Sequence, residues 1–383
     1  TVEWSTLIGA AIGGDGSDLD FPTISQDDIA LILYTSGTTG KPKGALLSHS
    51  NLIANAIQGK AWVPQMGKQQ ERFLAALPIF HAYGMTTLCI FSIYLGAELI
   101  LVPSPQMPLI MDIVKKRTPT WLPGVPTLYQ KIMDTAEEKD VDLSGIRNAF
   151  SGAATLPVEI VERWEALTGG RLVEGFGMTE TSPVLTANPM NGKHRPGYVG
   201  VPFPDTEVRI ANPENLDETQ PDGQPGEMLA RGPQIFQGYF GNAAATEKTF
   251  HNGWFRTGDM ALMEPDGYIK LVSRIKEIII TGGFNVYPAE VEEAIAQHPD
   301  VVDVAAVGRP RQDGSEDVVG CVTLRDGAVL DPEGLKEFCR ERLTRYKVPR
   351  TFYHFEDLAR DHLGKIRRHQ VRKDLLELLE AKA

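Results

Sequence analysis

Cysteine is scarce: Cys89, Cys321 and Cys339 are the only three in 383 residues, and no two form a C-x-x-C pair. This excludes a disulfide framework and a zinc cage, and it suits a reducing, intracellular setting. Long apolar runs are lacking as well. The longest, "TTLCIFSIYLGAELILV" from Thr86 to Val102, is interrupted by Gly96 and Glu98. It reads as a buried helix followed by a strand, too broken to span a bilayer. The opening "TVEWSTLIGAAIGGDGSD" has no basic-then-apolar order, so no signal peptide is expected. Positive charge is in deficit, with 38 basic against 50 acidic residues and a net charge of -12. An anionic surface repels phosphate backbones, which argues against a nucleic-acid partner.

What is present is enough to build cores. Hydrophobic residues make up 42% of the chain, and 383 residues predict at least two packed bodies. In the first half, "IALILYT", "RFLAALP", "AELILV", "TWLP", "NAFSG" and "RLVEG" read as strands. "PLIMDIVKKR", "PTLYQKIMDTAEEK" and "PVEIVERWEALTG" have helical apolar spacing. This alternation predicts α/β layers on a mostly parallel sheet. After about Asn188, Pro, Gly and Asp punctuate short strands, as expected of a small β-rich subdomain. From Ser273 the texture is that of a compact α+β domain. The boundary is set in "VSRIKE", giving a large domain over 1–274 and a small C-terminal lid over 275–383.

One loop invites chemistry. "YTSGTTGKPKG" (34–44) follows the strand "IALILY" and precedes the helical "SHSNLIANAIQGKA". Strand, glycine loop and helix together are expected to gather backbone N–H groups around an anion. The loop is not a Walker A motif, because Lys41 is followed by Pro42 and no glycine stands five positions before Gly40. Hydroxyls of Thr35, Ser36, Thr38 and Thr39, with Lys41 or Lys43, can bind phosphate instead. A merely solvated loop is the rival reading.

Seven further segments decide between them: "PIFHAYGM" (78–85), "FSGAA" (150–154), "EGFGMTETSP" (174–183), "GEMLARGPQIFQGYF" (226–240), "GWFRTGDMA" (253–261), "SRIKEIIITGGFNVYPAEVE" (273–292) and "GKIRR" (364–368). With the loop, and in this order, the chain resembles the adenylate-forming superfamily of acyl-CoA synthetases, luciferases and peptide-synthetase adenylation domains. The likeness is strongest to bacterial long-chain fatty-acid–CoA ligases. Relatives carry a substantial N-terminal subdomain ahead of the threonine-rich loop, so the large domain is expected to lack its first part.

The resemblance implies ATP, Mg²⁺, CoA and a fatty acid as cofactors and partners. Thr35, Ser36, Gly37, Thr38, Thr39, Gly40 and Lys43 become a clamp on the β- and γ-phosphates. Gly152, Ala153, Ala154, Glu174, Gly175, Phe176, Gly177 and Met178 become the nucleotide cradle, with Phe176 as a stacking face where the family more often has Tyr. Glu180 is implied as the Mg²⁺ ligand, assisted by Thr35, and Thr179 as the residue touching the α-phosphate. Asp259 and Arg274 are assigned to the ribose, and Lys276 to the hinge. His81 gates the carboxylate pocket. Gly283, beside Gly282, belongs to a loop brought to the pantetheine tunnel when the small domain turns after adenylation.

Lys365 is implied as the catalytic lysine. The family's run before it is Pro, a basic residue, Thr, two variable residues and Gly-Lys; here Ala359 replaces Pro and Asp361 replaces Thr. A looser turn with a nearby counter-charge is expected. Taken singly, each of these residues has a bland reading as a core, turn or surface position. Two basic clusters, "RERLTRYKVPR" (340–350) and "KIRRHQVRK" (365–373), are either solvated helix faces or contacts for the CoA 3′-phosphate or an anionic membrane. The expected activity is a cytoplasmic, AMP-forming acid–thiol ligase, peripheral to the inner face of the membrane if those clusters meet lipid. Its rivals are a ligase for a medium-chain or aryl acid, an enzyme that stops at acyl-AMP, and a non-catalytic nucleotide-binding protein. The oligomeric state is open, a dimer included.

Overall fold

The computed structural model describes residues 23–35, 42–67, 70–311, 314–361 and 364–381. Strand β1 (Ile29–Thr35) pairs antiparallel with β2 (Lys43–Ser48), and Thr35 lies opposite Lys43. This corrects the expected passage from strand through loop to helix. The threonine-rich loop joins two strands of a hairpin, and helix α1 (His49–Trp62) begins only after β2. The reason is local: Ala45 and Leu47 are fully buried, which gives "KGALLS" a core to pair over. Ser48 then caps α1, accepting the Asn51 N–H at 3.2 Å while Asn51 Oδ1 accepts the Ser48 N–H at 3.0 Å.

A seven-stranded sheet follows. β3 (Arg72–Ala75), β4 (Glu98–Leu101), β5 (Trp121–Gly124), β6 (Asn148–Ser151) and β7 (Arg171–Gly177) run parallel in the order β4-β3-β5-β6-β7. β8 (Val184–Ala187) and β9 (Val201–Pro202) extend it antiparallel. The crossovers α2 (Met107–Arg117), α3 (Pro126–Glu138) and α4 (Val158–Thr168) fall where apolar spacing predicts them. α2 and α3 open with proline in the first turn, where its missing N–H costs nothing. Trp164 of α4 meets Tyr129 of α3 edge-on at 5.0 Å, and both are fully buried. The run from Thr86 to Val102 holds a π-helical turn (Met85–Ile90), a helical turn (Phe91–Leu95) and β4. It is buried on one side only, since Ile93 is 78% exposed.

The punctuated stretch forms the expected β body from β10 (Glu207–Asn212), β11 (Asn215–Thr219), β12 (Gly226–Arg231), β13 (Gly238–Tyr239), β14 (Phe250–His251), β15 (Trp254–Met263) and β16 (Ile269–Arg274). Its antiparallel sheet has the order β11-β10-β12-β15-β14, with β16 on β15, while β13 joins β2. Leu47, Met228, Phe255 and Ile269 share its core.

Beyond it, β17 (Ile279–Thr281) and β18 (Phe284–Val286) form a hairpin closed by Gly282 and Gly283. Both glycines have positive φ, 55° and 83°, as a tight two-residue turn demands. Helix α5 (Pro288–Ala296), β19 (Val301–Pro310), β20 (Glu316–Leu324), α6 (Pro332–Arg340), β21 (Thr351–His354) and α7 (Arg368–Glu380) complete an α+β unit. Ile279, Val291, Ile295 and Val318 pack on one side of its sheet, and Ala305, Val319, Cys321 and Leu375 on the other. A short 3₁₀ turn, Ile275–Glu277, precedes this unit.

Candidate active site

Strand alternation turns Phe255, Thr257 and Asp259 of β15 inward. Asp259 stands in register with Arg274 of β16, and its Oδ1 accepts from Arg274 Nε at 2.8 Å. The other oxygen, Oδ2, is buried and finds no donor among the described residues. Burial pushes the Asp259 carboxyl up to about 6; Arg274 and Lys365 pull it back, while Glu277 and Glu180 add to the rise. Lys365, in the C-terminal unit, thus acts electrostatically on this pair. Lys365 is an exposed residue, yet the protein around its ammonium lowers its pKa, and Arg274 lowers it further against the opposing pull of Asp259 and Glu277.

A second group lies at the hairpin of β1 and β2. Glu180, buried in the 3₁₀ turn Thr179–Thr181, accepts from the Tyr239 hydroxyl at 2.7 Å. Lys43 Nζ lies 4.9 Å from the centre of the Tyr239 ring. Burial and the Glu180 charge raise the Tyr239 pKa, so the phenol keeps the proton it donates. Lys276 connects the two groups: partial burial, then Lys43 and Arg274, lower its pKa. Lys43 and Arg274 thus both act on Lys276, and Arg274 on Lys365, so the four cations share one electrostatic field with Asp259 and Glu180. Such a field suits a polyanion carrying hydroxyls.

The cradle is held from below. Tyr83 and Tyr129 both donate to the Phe150 carbonyl, at 2.5 and 2.8 Å, and Gly152 N–H donates to the Gly124 carbonyl at 3.2 Å. This fixes the turn that presents Ala153, at φ 68°, and Ala154. Glu174 Oε1 accepts the Leu156 N–H at 3.2 Å, while Oε2 is buried and has no partner among the described residues. Burial pushes its acid up to about 8. Gly175, Phe176 and Gly177 pair with β8, and Phe176 and Met178 pack partly on the core that holds Leu47. One side of the Phe176 ring is therefore core.

Other expected residues stand apart. His81 caps the short helix after it, its Nδ1 accepting the Tyr83 N–H at 3.1 Å. Gly283 is exposed at its hairpin tip, where a Cβ would meet nothing within 4 Å. Thr35 Oγ1 reaches the Lys43 carbonyl at 3.5 Å. Ser36, Gly37, Thr38, Thr39 and Gly40 lie outside the described residues. Within the cluster 365–373, Arg368 donates to Glu277 at 2.7 Å and to both oxygens of Glu292 at 2.7 and 2.5 Å, and Arg372 pairs with Glu316, while Lys365, Arg367 and Lys373 are exposed. One expectation is corrected. The lysine turn is not loose, because Asp361 Oδ1 accepts the Lys365 N–H. Tyr239 was in view within "QGYF" without a role, since the contact that gives it one spans 59 positions.

The residues suit the groups they were expected to hold. Asp259 Oδ2 is a buried acceptor needing a donor, which a ribose hydroxyl supplies. Among the described residues no three His, Cys, Asp or Glu could enclose a metal. Glu180 alone fits Mg²⁺, which keeps waters and substrate phosphates as most of its ligands.

The AMP-binding enzyme family model matches residues 6–240, and that of the AMP-binding enzyme C-terminal domain matches residues 290–365. The long-chain-fatty-acid–CoA ligase of Bacillus subtilis is 39% identical over 94% of this chain and 64% of its own length. That of Escherichia coli O6:H1 is 36% identical over the same shares, 94% and 64%. A feruloyl-CoA synthase from Amycolatopsis sp is 36% identical over 95% of this chain and 73% of its own. The chain thus spans just under two thirds of the two fatty-acid ligases. Among solved structures, ATP-bound MatB from Rhodopseudomonas palustris is similar at TM-score 0.88 and 32% identity, covering 97% of this chain and 73% of that one. Bacillus subtilis MenE with ATP and magnesium ion gives 0.82 and 27%, covering 93% and 72%.

Proposed function

The chain belongs to the AMP-binding enzyme family, and from that premise we propose that it is an ATP-dependent fatty-acid–CoA ligase. A carboxylate oxygen attacks the α-phosphorus of ATP, giving acyl-adenylate and pyrophosphate. The CoA thiol then attacks the acyl carbonyl and expels AMP. The observation that carries this reading is the bare buried oxygen of Asp259 beside Arg274 and Lys365.

In this reading Asp259 accepts from the ribose hydroxyls while Arg274 holds its other oxygen. Lys365 neutralises charge developing at the carboxylate and α-phosphate, a positional and electrostatic contribution with no protein nucleophile. Lys43 and the loop after Thr35 take the outer phosphates, and Thr179 the α-phosphate. Glu180, oriented by Tyr239, with Thr35, would hold the Mg²⁺, whose chemistry is to neutralise phosphate charge. Lys276 serves the hinge between a large domain over 1–274 and a lid over 275–383. His81 gates the carboxylate, and Gly283 makes room for the thiol arm. A cleft of about 370 Å³ in the C-terminal unit is lined by Lys336, Arg340 and Arg345, and by Arg311 and Arg350, which pair with Asp317 there; its net positive charge suits the phosphates of CoA. No helix among the described residues is long and apolar enough to cross a membrane. A cytoplasmic protein in peripheral contact with the membrane completes the reading.

The acyl end is assigned to an apolar cavity of about 40 Å³ between α1, the π-helical turn and the sheet, lined by Trp62, Phe91, Trp121, Phe150, Met190 and Phe203. It holds only a few water-sized groups. A long chain needs Trp62 and Phe203, 5.1 Å apart, to separate. This aromatic closure favours a second reading, an aryl acid as substrate. ATP–pyrophosphate exchange with fatty acids of graded length and with aryl acids tests both. Exchange peaking with a fatty acid supports the first reading and a peak with an aryl acid the second. Nucleotide binding without exchange for any acid would overturn both in favour of a binding protein.

A further inference from the structure

The turn carrying Lys365 departs from the family's run, yet it is closely pinned. Asp361 Oδ1 accepts the Lys365 N–H at 3.0 Å, and the Asp361 N–H donates to the Lys365 carbonyl at 2.9 Å. The Gly364 N–H donates to the Asp361 carbonyl at 3.0 Å, with Gly364 at φ 84°, a conformation that glycine adopts freely. Arg360 fastens this turn to the body of the unit, donating to the Gly364 carbonyl at 2.9 Å and to Asp303 of β19 at 2.6 Å. Arg360 also forms a bridge with Ile366. Lysine 365 thus leaves a hairpin held on both flanks, and beyond it Gly364 comes near Thr127 of α3, to which an added Cβ would stand 3.9 Å away.

The charges acting most strongly on Lys365 are those of Arg274, Asp259, Glu277 and Arg368. Asp361 Oδ1 is engaged with the backbone of Lys365. An Asp side chain accepting a nearby backbone N–H is a general turn-forming device. A threonine hydroxyl at the same position can accept the same N–H.

We propose that Asp361 is a positioning residue: by accepting the Lys365 backbone N–H it fixes the turn from which the lysine reaches the Asp259–Arg274 pair, acting as an acceptor and not as a counter-charge. This rests on the reading of Lys365 as the adenylating lysine. The pin matters for adenylation alone, because the second half-reaction follows a turn of the small domain that removes the lysine from the site.

The test compares D361A, D361N, D361T and K365A in two assays: ATP–pyrophosphate exchange, and thioester formation from supplied acyl-adenylate and CoA. Misplacement of a catalytic group by about 1 Å costs up to about 10²-fold, so D361A is expected to lower the exchange kcat about tenfold with an unchanged KM for ATP. D361N and D361T keep an acceptor and are expected to stay within about threefold of the parent. Thioester formation should be unchanged in the three Asp361 variants, which also shows that each of them is folded. D361A equal to the parent, or D361N as impaired as D361A, would overturn the proposal. If K365A retained full exchange, the reading of the lysine itself would fall, a result distinct from an inactive K365A beside an unaffected D361A.

Discussion

Asp259 and Arg368 belong to neighbouring ion-pair clusters, and both act on Lys365. Arg368 is paired on every nitrogen: Glu277 and both oxygens of Glu292 accept from it, and Glu292 also accepts the Ala306 N–H. Asp259 has one partner and one bare buried oxygen. A buried charge is tolerated in a fold when its bonds are filled. A bare one costs stability and persists where a ligand fills it. The difference separates a strut from a binding group, although both look like isolated charged residues in sequence.

Removing Lys365 should have the largest effect. K365A is expected to lower ATP–pyrophosphate exchange by about 10²–10³-fold, the usual cost of losing one preorganised electrostatic stabiliser. Unfolding in urea should show unchanged stability, since Lys365 is an exposed residue. Arg368 should behave oppositely. R368L leaves Glu277 and Glu292 facing each other without their cation. With 22% of the arginine side chain exposed, a loss of about 2–3 kcal/mol is expected by urea titration, below the range for fully buried pairs.

Glu174 provides a pH-dependent version of the comparison, because its Oε2 is also bare. Burial raises its acid from 4.5 to about 8, so the folded state holds the proton more tightly than the unfolded chain. Its contribution is fully present below pH 4.5 and lost as pH rises through about 8. The expected slope is at most about 1.4 kcal/mol per pH unit. Urea midpoints at pH 5.5 and 7.5 should fall for the parent, and E174Q should remove that part of the fall. The smallest effect is expected of Y239F, about 1 kcal/mol for one lost hydrogen bond. Its readout is a several-fold weaker affinity for ATP with Mg²⁺ by calorimetry, with affinity for ATP alone unchanged.

Much of the frame was legible in sequence because local pattern and tertiary burial agree. "RFLA", "NAFS" and "RLVEGFG" are apolar strands buried in a parallel sheet, and the spacing of Ile110, Ile132 and Trp164 marked the helices that cover it. β2 was not legible, because "KGALLS" runs straight into helical residues and its reason to pair is a core built by β13 and residues near Phe255. Asp361 was read as a counter-charge in a looser turn, since sequence shows a carboxyl and not the N–H it accepts. The Glu180–Tyr239 and Arg368–Glu277 contacts span 59 and 91 positions, and no local pattern encodes them. Charge type is written in the chain; whether its bonds are filled is decided by the fold.

The most direct test of that distinction measures ATP affinity by calorimetry and unfolding free energy by urea titration on D259N and R368L. For D259N the account predicts at least about tenfold weaker ATP binding, from loss of charged hydrogen bonds, with stability equal to or above the parent. For R368L it predicts the reverse, lower stability and ATP affinity within about threefold, because the arginine's charge is already matched by Glu277 and Glu292. Affinity and stability falling together in both variants would contradict it.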